Sequence, residues 1–178
     1  MDDFAYFRLQ RLRDETQADY VNRVSPLLPN FPAEILEQWP YENGGVLETW
    51  SWLGLQGLGF RLETFPMTTV LKDVRHWSQS GMEMEAAKLE ESSSYREWGV
   101  IGYVKANGTW PRPPIALDNR KARIERPHMG DDSPFILIEG MHRLAALTYF
   151  SAKSSVLPEH RLWVVHGWRP NPPGGWCV

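Results

Sequence analysis

The sequence predicts an α+β fold: a small mixed β-sheet with flanking helices and a helical N-terminal extension. Three observations carry this expectation. Phe135-Ile136-Leu137-Ile138 is a continuous apolar run of strand length, the pattern of a strand buried on both faces. Immediately after it, Met141, Leu144, Ala145 and Thr148 recur at i, i+3, i+4 and i+7, and Leu147 and Phe150 widen the stripe, so Met141–Phe150 is expected to be helical. Phe60-Arg61-Leu62-Glu63-Thr64-Phe65 alternates with period two and predicts a half-buried strand.

Composition agrees with a globular chain. With 42% hydrophobic and 23% charged residues, the 178 positions suffice for one domain with its own core. Nineteen basic and 22 acidic residues give a net charge of −3, without the basic footprint of a nucleic-acid binder. The single cysteine, Cys177, excludes an internal disulfide and a multi-cysteine zinc site, and suits a reducing compartment. The acidic start Met1-Asp2-Asp3-Phe4 lacks a secretory h-region, and no apolar run approaches the ~20 residues that span a bilayer. A cytoplasmic protein without membrane association is expected. Nine tryptophans point to cores, interfaces or ligand pockets, since an indole joins a large apolar body to an N–H that needs a partner.

Along the chain, residues 7–24 predict a polar helix with Phe7, Leu12 and Val21 as its apolar points. A short helix is expected over Pro32–Gln38, with Asn30 as its cap and Pro40 ending it. Asn43-Gly44-Gly45 marks a turn. Thr68 or Thr69 is expected to cap a helix running through Val70, Leu71, Val74 and Trp77, and residues 82–97 to form a charged surface helix with a weak end. Val100–Val104, Pro114–Leu117 and Arg161–His166 are strand candidates, and the Pro/Gly-rich tail beyond them is expected to be extended.

The junction Ile138-Glu139-Gly140-Met141-His142-Arg143-Leu144 is the most informative segment. A buried strand passes through a glycine directly into a helix, whose first turn offers backbone N–H groups and the positive end of the dipole. Gly140 permits a tight turn and a close approach by a ligand, which is the geometry of phosphate binding. His142 and Arg143 place cations where ~0.3–1 kcal/mol disfavours them, unless an anion sits among them. Arg143 has the planar fork that clasps phosphate oxygens. Glu139 offers a different resolution, an internal ion pair with Arg143 or His142.

Ile138-Glu139-Gly140-Met141-His142-Arg143-Leu144-Ala145-Ala146-Leu147 resembles the strand–Gly-x-His-Arg–helix signature of the ParB/sulfiredoxin superfamily. Trp110–Asn119 is similar to the preceding strand of ParB-like domains, and Leu162-Trp163-Val164-Val165 to the following one. The resemblance covers roughly residues 98–168. It implies a single domain, with residues 1–97 as an N-terminal extension and 169–178 as a tail. It further implies a ParB/sulfiredoxin-like sheet that binds ATP or CTP with Mg²⁺ at the Gly-x-His-Arg helix start, through Gly140, Met141, His142 and Arg143. If catalytic, such a domain would be a nucleoside triphosphatase or small-molecule kinase, with Glu139 or His142 as the base. Met141 stands where sulfiredoxins carry their catalytic cysteine, which excludes that chemistry. The given sequence ends about ten residues after its last expected strand, so the DNA partitioning of partition proteins is not expected of it.

Asn119–Pro134 holds Arg120, Lys121, Arg123 and Arg126, then Asp131 and Asp132. It reads either as a phosphate clamp with an aspartate for Mg²⁺, or as a solvated hairpin extension. Asp118, at a strand end, and Arg120 join the binding candidates. His76, His128, His142, His160 and His166 show no metal-ligand spacing, so no metal site is expected. Two further functions compete: a non-catalytic protein-interaction module using the tryptophans, and, ranked last, a nucleic-acid binder using Arg120–Arg126.

Overall fold

The apolar run at 135–138 becomes β4 (Phe135–Glu139), flanked by strands on both sides and buried from Phe135 to Ile138. The computed structural model describes residues 8–43, 50, 53–120, 133–154 and 156–167. By its contacts the chain divides into two compact units, Met1–Phe60 with Val165–Val178, and Arg61–Val164.

In the first unit, helix α1 (Gln17–Val24) starts at Thr16, whose hydroxyl accepts from the Asp19 amide, rather than at residue 7. The residues before it are held in a non-helical turn by Arg23, which bonds Glu15 and the carbonyls of Arg8 and Gln10. Helix α2 (Ala33–Leu36) follows Pro32, and a π-type turn over Glu37–Tyr41 carries the coil through Pro40 instead of stopping there. Asn30 does not cap it. Its amide donates to the carbonyls of Leu55 and Leu58, tying this helix pair to a 3₁₀ turn at Leu55–Gly57. Gly44, Gly45 and the C-terminal tail lie outside the described residues.

The second unit carries all but the first residues of β1 and the last of β5 in a mixed five-stranded sheet of order β1-β5-β3-β4-β2. Its strands are β1 (Gly59–Pro66), β2 (Val74–His76), β3 (Ile115–Asp118), β4 and β5 (Glu159–His166). The architecture is thus α+β, as the sequence predicts. Between β1 and β2 runs helix α3 (Met67–Asp73), entered from Pro66 without a side-chain cap. Val74 leaves this helix to pair in parallel with Phe135, so the expected stripe through Val74 and Trp77 is cut short by sheet pairing.

Residues 82–97 form two helices rather than one. Helix α4 (Gln79–Glu91) ends at Ser92, which adopts an extended backbone and caps α5 (Ser93–Glu97) through its hydroxyl. Nor does α4 lie wholly on the surface, since Gly81, Glu85 and Leu89 form a buried stripe at i, i+4 and i+8. Val100–Val104 is helical too, within α6 (Gly99–Asn107). Ile101 and Val104 face inward one turn apart, and Gly108 at φ 66° closes the helix. Helix α7 (Met141–Ser151) packs against α4 and α6, and Val70, Leu89, Ile101, Leu137, Leu147 and Phe150 belong to one core. Among the described residues no helix is long and apolar enough to cross a membrane.

Three groups make this unit pH-sensitive in two windows. Burial lowers the pKa of His76 and of His160, partly offset by backbone hydrogen bonds, below their ordinary value of 6.5. Each is therefore held neutral, a contribution complete above that value and lost as pH falls through the folded pKa. Glu85 is lowered from 4.5 to about 2, so its contribution is complete above 4.5 and disappears toward pH 2. The urea midpoint is expected to decline as pH falls below 6.5 and again as it falls from 4.5 toward 2, and His160→Gln should shrink only the first step.

Candidate functional site

Gly140 turns the chain from β4 into α7 at φ 109° and ψ 30°, a conformation that an L side chain rarely adopts. The space that a Cβ would take is filled by the Pro114 Cβ at 2.8 Å and the Arg143 Nε at 3.0 Å. On that side the glycine therefore makes room for protein rather than for a ligand. The helix it opens has no side-chain cap and no acidic residue in its first turn.

Arg143 points back across this turn. Its side chain is 9% exposed, and the guanidinium donates to the carbonyl of Arg112 at 3.0 Å and to Glu139 Oε1 at 3.1 Å. The internal ion pair is thus the arrangement that forms, and it relieves the misplaced cation without an external anion. Met141 packs its sulfur toward Gly81 on α4, where a Cβ would come within 3.2 Å, and contributes its backbone to the first turn.

His142 is held by a carboxylate on α4 that lies 57 residues away in the chain. Its Nδ1 lies 2.8 Å from Glu85 Oε2 and 3.3 Å from the Tyr95 hydroxyl. The Glu85 side chain is only 3% exposed and takes bonds from three donors: Lys88 Nζ at 2.6 Å, the Tyr95 hydroxyl and His142. Burial alone would raise this carboxyl, but the three bonds outweigh it and hold Glu85 at about 2. Burial, together with the bond to Glu85, pushes the Tyr95 phenol well above its ordinary range. A carboxylate can only accept, so the neutral imidazole carries its hydrogen on Nδ1 and its lone pair on Nε2. The His142 side chain is 43% exposed. Beside it, Trp98 stacks on Tyr95 at 5.9 Å, meets the His142 ring edge-on at 6.0 Å, and leaves 55% of its surface exposed.

The other candidates lie elsewhere. β3 and β4 are antiparallel, so Asp118 pairs with Phe135 while Glu139 pairs with Ile115. Four residues of strand, about 13 Å at ~3.3 Å each, separate Asp118 from the Gly140 turn. Asp118 and Arg120 form a closed pair, with Arg120 Nε at 2.9 Å and Nη2 at 2.8 Å from the carboxylate, and the guanidinium lies over the Phe135 ring. Lys121, Arg123, Arg126, His128, Asp131 and Asp132 are outside the described residues, as is Cys177. The ends of their loop meet where Asn119 donates to the carbonyls of Pro134 and Ser133. Among the described residues no three His, Cys, Asp or Glu side chains gather as metal ligands.

The structure therefore brings together Glu139, Gly140, Met141, His142 and Arg143, sets Asp118 and Arg120 apart, and adds Glu85, Lys88, Tyr95 and Trp98. The signal that could have found Glu85 is its place at i+4 from Gly81 and i−4 from Leu89 in a helix otherwise rich in charge. No protein-family model, no curated protein and no solved structure matches the chain.

Two substitutions measure how much this turn contributes to stability. Gly140→Ala is expected to lower stability by ~1–3 kcal/mol, from the positive φ and the contact with Pro114. Arg143→Ala is expected to lower stability by ~1–3 kcal/mol, because it removes a largely buried guanidinium that donates to the Arg112 carbonyl and to Glu139. Urea unfolding of each variant measures both.

Proposed function

We propose that the Arg61–Val164 unit is a ParB/sulfiredoxin-like domain of the cytoplasm that binds the phosphates of a nucleoside triphosphate at the start of α7. The observation that carries this reading is the uncapped first turn, free of acidic residues, in a helix that follows a buried strand through a left-handed glycine. Amides and dipole there favour an anion. The order β3, β4, Gly140, α7, β5 supports the family reading, since it is the order in which the resembling segments occur.

Two features refine the ligand. The indole of Trp98 is an exposed ring face within 6.0 Å of His142, suited to stacking a nucleobase, an interaction of ~1–3 kcal/mol per base. Each carboxylate near the turn already holds a cation, Glu85 with Lys88 and Glu139 with Arg143. They do not fit a resident Mg²⁺, so the ion belongs to the incoming magnesium–triphosphate complex. ATP and CTP are the nucleotides to try. The exposure of Trp98, with Trp77 and Tyr103 also partly open, favours one competing reading, a non-catalytic protein-interaction module.

Calorimetric titration with magnesium–ATP, magnesium–CTP and inorganic pyrophosphate tests the reading. Wild type is expected to bind all three. Trp98→Ala should weaken the nucleotides by roughly 5- to 150-fold and leave pyrophosphate unchanged. Met141→Glu should bind every probe roughly 2- to 5-fold more weakly than Met141→Gln, since the two differ by one charge in the first turn. If folded wild type binds none of the three, the nucleotide reading is lost and the interaction module takes its place.

A further inference from the structure

Glu139 and His142 are both placed to serve as a base at the α7 turn, and their surroundings separate them. The Glu139 carboxylate is already engaged, accepting from the Arg143 guanidinium at 3.1 Å. His142 has the opposite arrangement. Its Nδ1 is committed to a buried carboxylate on another helix, and its ring is nearly half exposed at the point where the dipole of α7 emerges. A fixed acceptor on one ring nitrogen selects the tautomer and the ring orientation, and stabilises the imidazolium once the other nitrogen takes a proton.

We propose that Glu85 and His142 form a proton-transfer unit, with His142 Nε2 as the catalytic base and Glu85 as its positioning residue, for hydrolysis of the bound nucleoside triphosphate. This rests on the nucleotide reading of the same turn. A water oxygen forms a bond to the terminal phosphorus while its proton passes to His142 Nε2. The bond from that phosphorus to the bridging oxygen breaks, and the oxygen leaves with the electron pair on the nucleoside diphosphate. His142 then releases its proton to solvent. Triphosphate and water thus give diphosphate, inorganic phosphate and a proton. Among the described residues, the titratable groups recorded within hydrogen-bond distance of His142 are Glu85 from α4 and Tyr95 from α5, and Lys88 shares the Glu85 carboxylate.

The buried network around Glu85 explains why a positioning role is separable from packing. Lys88 and Tyr95 hold one carboxylate in place, and the third bond goes to His142, which is not needed to fill the core. Replacing the carboxylate by a carboxamide keeps the volume but removes a partner that can only accept.

Phosphate release from magnesium–ATP and magnesium–CTP should be followed in wild type, Glu85→Gln and His142→Gln. Tautomer-sensitive nitrogen NMR of His142 should accompany it. His142→Gln is expected to lower kcat by ~10²–10⁴-fold with KM nearly unchanged. Glu85→Gln should lower kcat by roughly 10- to 100-fold, also with little change in KM, and abolish the pure Nδ1–H signature seen in wild type. Should Glu85→Gln fail to fold, the partly exposed His142 position decides alone. Wild-type turnover retained in His142→Gln overturns the proposal, as does triphosphate that binds wild type without being cleaved. Either result leaves the binding reading standing. Absence of binding by wild type removes both.

Discussion

A carboxylate taken out of water has to be met by donors, and Glu85 imposes that demand on the second unit. An unpaired charge at that depth would cost several kcal/mol, so its partners must arrive from wherever the chain can supply them. They come from three helices: Lys88 one turn along α4, Tyr95 from the start of α5, and His142 from the first turn of α7. The break at Ser92 follows from the same need. A single continuous helix would carry Tyr95 round the axis and away from Glu85, whereas the extended Ser92 lets α5 return and deliver the phenol. The orientation of His142 is thus a consequence of satisfying a buried charge 57 residues away.

Strand direction is the second constraint, and it decides which polar groups share an end of the sheet. β4 pairs with β2 in parallel and with β3 antiparallel. Gly140 therefore emerges beside Pro114 at the beginning of β3, while Asp118 and Arg120 emerge beside Phe135 at the other end. Expecting Asp118 near the phosphate turn assumed that neighbouring strand ends face one crevice, which holds for parallel pairs and fails for this one. The Asp118–Arg120 pair instead closes over Phe135 where the β3–β4 loop begins.

Legibility in the sequence followed the range of the interaction. β4, β5, α7 and most of β1 and β3 were readable because apolar period and run length are local properties of the chain. Thr16, which starts α1, and Ser92, which divides α4 from α5, were local signals of the same kind that charged neighbours obscured. α6 was misassigned because Val100–Val104 satisfies both a short strand and one face of a short helix, and only the closing Gly108 separates the two. Val74 was beyond local reading, and Glu85 carried only its i±4 spacing from Gly81 and Leu89. The first is drawn into the sheet by β4, the second into the interior by Tyr95 and His142, and neither partner is near in sequence.

The candidate site shows the same division within a single turn of helix. Sequence alone marks His142 and Arg143 as misplaced cations, and the frustration is real, but the two residues resolve it differently. Arg143 finds an anion four residues back and a carbonyl across the turn, becoming a brace between β4, the segment before β3, and α7. His142 finds its anion on α4, and the bond uses only one of its two ring nitrogens. A brace whose side chain is 9% exposed has little surface left to offer a ligand. An imidazole anchored at Nδ1 and exposed elsewhere has both a fixed direction and an open edge. The same local conflict thus yields one structural residue and one chemically available one, and the buried carboxylate at Glu85 is what tells them apart.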